Sequence, residues 1–303
     1  MDLTADGAGD RLTGGEVPGW LGPWCAAHLG AVPAQVLLIT EHLSAVFGLR
    51  LDDGREVVVK ARPDPSGRAV TCVFAQAELA AAGFACPAPL TEVTGTDPAI
   101  HAEQWRPGGD LLRGEDPGTA RQYAAVYAEL MAALARLSLP PPLPNPPWLP
   151  FDQQAPTGAD FVAGIAARAH ARLRSATSLP RVLGHADFEA QNLRWKGTEI
   201  WAVFDWDSLA WMPEPVLAGA ASAAFASAEQ PTLAPIGSSE AFLESYQQVR
   251  GRSFSGEELE IAWAASLLTA TVNAAHEARH GEPPLTTDRL RDQAEERLAR
   301  ASS

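Results

Sequence analysis

Lysine is nearly absent from this chain: of its 23 basic residues only Lys60 and Lys196 are lysines. Against so strong a drift to arginine, a retained lysine points to a place where a compact ammonium serves and a forked guanidinium does not. Cysteine is scarce as well. Cys25, Cys72 and Cys86 are odd in number and lack CxxC spacing, which argues against a disulfide framework and against a cysteine zinc site. Positive charge is short overall, with a formal net charge of −14 over 303 residues. That balance argues against a nucleic-acid partner, whose phosphates demand clustered Lys and Arg, and against anionic membrane surfaces. It is compatible with a cationic small molecule, although a negative field is also a common route to solubility. Long apolar runs are missing too. The first twenty residues hold no signal core, and PVLAGAASAAFASA is short and Ala-rich, so it reads as a buried helix and not a membrane span. The expected location is the cytoplasm.

What the chain does have begins with a β-like stretch. QVLLIT and AVFGLRL are followed by the Asp52–Gly54 turn and then by EVVVKA, a strong hairpin signal. A helix over 70–82 is expected next, ended by Gly83, and then two further strands, PAPLTEV and PAIHAEQW. Past Pro107 the pattern turns helical, with an amphipathic segment over 120–137 and later helices near 214–228, 238–250, 256–280 and 286–301. Between them, residues 138–156 are too Pro-rich for regular structure and read as a rigid extended connection, with a proline-recognition ligand as the functional alternative.

Two constellations carry chemistry. Lys60 ends the strand VVVK, where its ammonium could reach nucleotide phosphates, and Glu78 on the following helix could hold it by an ion pair. Further on, LGHADFEAQNLRWKGTEIWAVFDW places Asp187 two residues after His185, Asn192 five residues later and Asp205 thirteen beyond that. The segment between Asn192 and Asp205 reads as strand, turn, strand, which brings those two side chains to one end of a hairpin. An amide oxygen and a carboxylate there suit magnesium, a hard cation that takes oxygen ligands. Asp187 would then orient an attacking hydroxyl and receive its proton, the arrangement phosphoryl transfer requires. His185 reads as a brace for the loop. The tryptophans Trp201, Trp206 and Trp211 read as core and cleft-wall residues. Glu189, Glu214, Glu240 and Glu244 could line a cationic pocket, although surface charge explains most of them.

A competing motif is His276-Glu277-Ala278-Arg279-His280, which satisfies HExxH, the pattern of a zinc hydrolase. Gly281 and Pro283 end the helix directly after the second His, so a solvated helix end is the favoured explanation.

HADFEAQN followed by FDWD resembles the aminoglycoside phosphotransferase family of protein-kinase-like small-molecule kinases, which usually shows HGDxxxxN and then (I/F)DW(D/E). VVVK with Glu78, and EQWRPGG as a hinge, follow the same order, and the resemblance spans roughly residues 35–225. It implies an α+β, two-lobed kinase-like fold: a small antiparallel-sheet lobe over 1–104 that binds nucleotide, and a mainly helical lobe over 105–303 that carries catalysis and acceptor binding. It implies ATP or GTP as donor, Mg2+, and a small-molecule hydroxyl as acceptor, either an aminoglycoside or other cationic antibiotic or a metabolite such as an amino alcohol or sugar. Carried over, Lys60 binds the phosphates, Glu78 orients Lys60, Asp187 is the catalytic base, and Asn192 and Asp205 hold the metal. Three positions depart from the pattern. Ala186 stands where the family has Gly, Ala218 where it has a buttressing Asp, and TEHLSAVF has no glycine before Gly48, with Ser44 placed to help at the turn. A non-catalytic nucleotide-binding relative is the alternative these departures raise.

Overall fold

The computed structural model describes residues 17–41, 43–139, 143–149, 151 and 160–302. They divide into two compact units, the first running to Gly108 and joined by Leu139 and Leu143, the second holding Gly109–Ser138 and the residues from Pro144 on.

In the first unit, helix α1 (Leu21–Leu29) is followed by strands β1 (Pro33–Glu41), β2 (Ala45–Leu51) and β3 (Glu56–Arg62), helix α2 (Arg68–Ala81) and strand β4 (Ala99–Gln104). The four strands form one antiparallel sheet in the order β1-β2-β3-β4. The Asp52–Gly54 turn closes β2 on β3, with Gly54 at φ 86°, a left-handed conformation that costs glycine little. Alternation splits the sheet into two faces. Phe47, Leu49, Leu51, Val57, Val59 and Ala102 point to one, where Leu21, Trp24 and Cys25 of α1 complete a buried core. The opposite face carries Gly48, Lys60 and Glu103. A methyl group on Gly48 would come within 2.3 Å of the Trp105 ring, so the glycine is required by the approach of that indole. Of the two strands expected after α2, only the second forms. PAPLTEV contributes an isolated bridge between Pro89 and Glu103, because its prolines remove the N–H groups a continuous ladder needs.

The second unit contains α3 (Pro117–Leu134), α4 (Phe161–Leu173), β5 (Arg181–His185), β6 (Leu193–Lys196), β7 (Glu199–Val203), β8 (Leu209–Pro213), α5 (Glu214–Ala224), α6 (Ile236–Arg250), α7 (Gly256–Ala265), α8 (Leu268–His280) and α9 (Leu285–Arg300). The single helix expected over 256–280 is two, broken after Ala265. Asp116 caps α3 by accepting from the backbone N–H groups of Gly118 and Thr119. Of the expected extended connection over 138–156, residues 140–142, 150 and 152–156 lie outside the described residues, and the others form no helix or strand. Among the described residues no helix is long and apolar enough to cross a membrane.

Helix α5 is nearly wholly buried, and it lies so close to α7 that a Cβ on Gly219 would sit 2.1 Å from the Ala262 carbonyl oxygen. Backbone cannot yield as a flexible side chain does, so Gly219→Ala should cost about 1–3 kcal/mol. Urea unfolding of the variant measures it; an unchanged midpoint would show that α5 and α7 can separate freely.

Candidate active site

The second unit places its acids by two short antiparallel ladders. β5 pairs with β8, setting His185 opposite Leu209, and β6 pairs with β7 around Gly197, which sits at φ 61° in the turn. The loop after His185 and the loop after Val203 therefore emerge together. The backbone N–H of Phe204 donates to the Asn192 carbonyl at 2.8 Å, and that of Ala186 to Ser208 at 2.8 Å. Asn192 Nδ2 donates to the Asp187 carbonyl and to its carboxylate Oδ2, each at 2.9 Å. With the amide nitrogen so used, the Asn192 Oδ1 is the atom left to act as a ligand.

Asp205 adopts φ 58°, the one positive φ at a non-glycine among the described residues. Such backbone persists where surrounding structure holds it, and it is enriched at functional sites. Here the Ser208 hydroxyl donates to Asp205 Oδ2 and the Ser208 N–H to the Asp205 carbonyl.

His185 is buried and faces two ways. Its Nδ1 accepts from the Asp187 N–H at 3.3 Å, which leaves Nε2 to donate to the Phe204 carbonyl at 3.0 Å. Burial lowers its pKa, against the raising effect of Asp205, and the ring ties one loop to the other. Phe188 anchors the same loop from below: it is buried against Tyr127 at 4.5 Å between ring centroids, and the Tyr127 hydroxyl donates to the His185 carbonyl at 2.9 Å. Position 218, where the family pattern has an acid, is a fully buried alanine of α5. Phe188, Tyr127 and Ser208 were not singled out by the sequence; an aromatic directly after Asp187 was the one available signal.

Burial, and then the charge of Asp205, push Asp187 up to about 7. Glu189 is raised as well, by burial and then by Asp187, with its side chain taking a hydrogen bond from Gln191 at 2.8 Å. Among the described residues none of Asp187, Glu189 and Asp205 forms an ion pair. The Asn192 amide oxygen and the Asp205 carboxylate are oxygen donors of the kind a hard divalent ion takes.

The other acids considered for a cationic pocket are engaged elsewhere or face solvent. Glu214 is buried and accepts from the Tyr246 hydroxyl at 2.6 Å and Arg250 Nε at 3.1 Å. Glu240 pairs with Arg300 at 3.3 Å, and Glu244 is exposed. Beside Ala186 lies instead a small, mostly apolar cavity of about 20 Å³, lined by Phe151, Met212, Leu217, Leu268 and Thr269.

In the first unit, Ser44 is half-buried directly before β2, on the β1–β2 turn. Lys60 does not meet Glu78. Its Nζ lies 3.0 Å from Glu103 Oε1 on the adjacent strand, and Glu78 is exposed. The correction is one of helix phase. At 3.6 residues per turn, a position two residues away lies on the opposite side, and the residue α2 turns inward is Gln76.

The HExxH segment is structural. Glu277 is buried and accepts from the N–H groups of Thr286 at 2.7 Å and Thr287 at 3.1 Å, fastening the start of α9. His276 and His280 stack on each other at 4.1 Å, and among the described residues no three His, Cys, Asp or Glu side chains converge as a metal site. Burial alone would raise the Glu277 pKa, but the hydrogen bonds from Thr286 and Thr287 outweigh it and hold the carboxyl below its usual value. A depressed folded-state pKa stabilises at neutral pH, and that stability is lost as pH falls through the folded value. Glu277→Gln should therefore cost about 2 kcal/mol at pH 7 and much less in acid, read from denaturant unfolding at both pH values.

A sheet bearing a strand-end lysine, and a helical unit whose paired hairpin loops bring two Asp and an Asn together, define a kinase-like phosphotransferase. Residues 38–235 match the model of the Phosphotransferase enzyme family, APH, and the chain belongs to that family. No curated protein matches it in sequence. Among solved structures it is similar to an amicoumacin kinase in complex with AMP-PNP and Ca2+, at 13% identity and TM-score 0.64, over 88% of this chain and 89% of that one. It is also similar to an aminoglycoside phosphotransferase from Alicyclobacillus acidocaldarius, at 15% identity and TM-score 0.58, over 96% and 97%. A choline/ethanolamine kinase family protein from Mesorhizobium loti shares 18% identity at TM-score 0.52, over 88% and 87%. The fold is thus kinase-like and α+β, and the chain is a small-molecule phosphotransferase.

Proposed function

We propose that the protein moves the γ-phosphoryl group of ATP, or GTP, to a hydroxyl of a small molecule. The observation that carries this reading is the convergence of Asp187, Asn192 and Asp205 on one loop pair. Asp187 aligns the acceptor hydroxyl and takes its proton; because such transition states are largely dissociative, its main work is positioning. Asn192 Oδ1 and the Asp205 carboxylate would hold Mg2+, which when bound would neutralise charge on the donor phosphates. Lys60 contacts those phosphates, and the Ser44 turn covers them in place of a glycine-rich one.

The acceptor is the finer part. Relatives of similar fold carry names as different as amicoumacin kinase and choline/ethanolamine kinase. The ion pairs that engage Glu214 and Glu240 leave those carboxylates committed within the protein, which supports a less highly charged acceptor over an aminoglycoside polycation. The test is phosphate transfer from labelled ATP to a panel of aminoglycosides, amino alcohols, sugars and hydroxyl compounds with an aromatic or alkyl face. Transfer should cease with EDTA and return with Mg2+. Turnover that survives chelation would rule out the proposed metal site.

A further inference from the structure

We propose that Glu103, on strand β4, is the residue that positions Lys60 toward the donor phosphates, taking over a task the sequence pattern assigns to helix α2. The inference rests on the reading of Lys60 given above.

The ladder sets the placement. Lys60 pairs with His101 and Val58 with Glu103, so Lys60 and Glu103 are diagonal neighbours on one face of the sheet. Their charged atoms lie 3.0 Å apart, with side-chain exposures of 11% and 2%. Burying such a pair is costly unless further hydrogen bonds satisfy what the partner leaves over. Here the second oxygen of Glu103 accepts from Gln76 Nε2 at 2.9 Å, and the same amide nitrogen donates to the Pro87 carbonyl at 2.8 Å. Helix α2 thus offers the cluster a neutral amide and no carboxylate. Packed apolar residues would serve stability as well as a buried ion pair does, so the retention of one here asks for a role beyond stability. Holding the ammonium by its neighbour on the adjacent strand gives that role, and it fixes the lysine by strand register, independently of how α2 is seated.

The experiment measures binding of Mg2+–AMP-PNP and of adenosine to the full chain by calorimetry. It compares the wild type with Lys60→Ala, Glu103→Gln, Gln76→Glu and the Glu103→Gln/Gln76→Glu double variant. Glu103→Gln should weaken AMP-PNP about tenfold, equal to about 1.4 kcal/mol, and leave adenosine within about twofold, because adenosine has no phosphate for Lys60 to meet. The double variant, which returns a carboxylate to the cluster from the helix side, should recover most of the AMP-PNP affinity. A purely structural role would weaken both ligands together and show no rescue. If Lys60→Ala weakens AMP-PNP while Glu103→Gln does not, the positioning role is wrong and the reading of Lys60 stands. If Lys60→Ala itself leaves AMP-PNP binding unchanged, both fall. Should Glu103→Gln fail to fold, Gln76→Ala, which frees the second oxygen of Glu103, must weaken AMP-PNP selectively, and its failure to do so overturns the proposal.

Discussion

Asp187→Asn should lower kcat about 10²- to 10⁴-fold, the usual range for loss of a positioned acid–base group, while the protein stays folded and binds nucleotide nearly as before. The substitution is isosteric. A side-chain carbonyl at the same place still accepts from Asn192 Nδ2, and the backbone contacts of residue 187 with His185 Nδ1 and Asn192 persist. What disappears is the carboxylate oxygen that, on the proposed mechanism, receives the hydroxyl proton. Asp205→Asn should behave differently, raising the Mg2+ concentration needed for half-maximal rate, because on the proposed mechanism its carboxylate holds the ion. Steady-state rates with an accepted substrate, run across a Mg2+ titration, separate the two. Equal kcat for Asp187→Asn and wild type would take the residue out of the mechanism.

Arg297→Met should destabilise the second unit by about 3–5 kcal/mol, a drop of several degrees in Tm. Arg297 is fully buried in α9 with no carboxylate partner among the described residues. Burial, then the charge of Arg300, lower its pKa to about 9, so it remains protonated at neutral pH. Its guanidinium donates to the Ala234 carbonyl, the Ser239 and Ser266 hydroxyls and Gln293 Oε1, and lies 5.6 Å from the Trp263 ring. One planar fork therefore ties α9 to the start of α6 and to the break between α7 and α8. Methionine fills the volume but leaves those acceptors without a donor, and a buried unsatisfied acceptor carries its full desolvation penalty. Lysine, a single point donor, should rescue only part of the loss. Thermal unfolding of the three proteins measures this; a Tm for Arg297→Met within a degree of wild type would mean that water satisfies the vacated acceptors.

The parts of the molecule that could be read in advance are those governed by short-range order. The β2–β3 hairpin follows from an Asp-Gly turn between β-branched runs, and the convergence of Asn192 with Asp205 follows from a hairpin with glycine at its turn. What failed depends on packing between distant segments. Whether Lys60 meets Glu78, Gln76 or Glu103 is decided by helix phase and by strand register, and the sequence pattern pointed to Glu78 alone. The break after Ala265 has no Gly or Pro to announce it; it is marked by Ser266, which Arg297 holds from thirty-one residues away in the chain. Helix α1 was missed because LGPWCAAHL is only 9 residues long and apolar on most sides, so it shows little periodicity. The Glu214 ion pairs with Arg250 and Arg252 join residues far apart in the chain, a pairing that a surface-charge reading cannot foresee.

The β6–β7 hairpin has a free end as well as a working one. Asn192 and Phe204 join at the base, whereas Lys196, Gly197, Thr198 and Glu199 at the tip are all exposed. The tip is therefore a natural attachment point: a fluorophore or short epitope grafted at Thr198 would be carried rigidly by the same ladder, and could report on events at the base while leaving the chemistry there undisturbed.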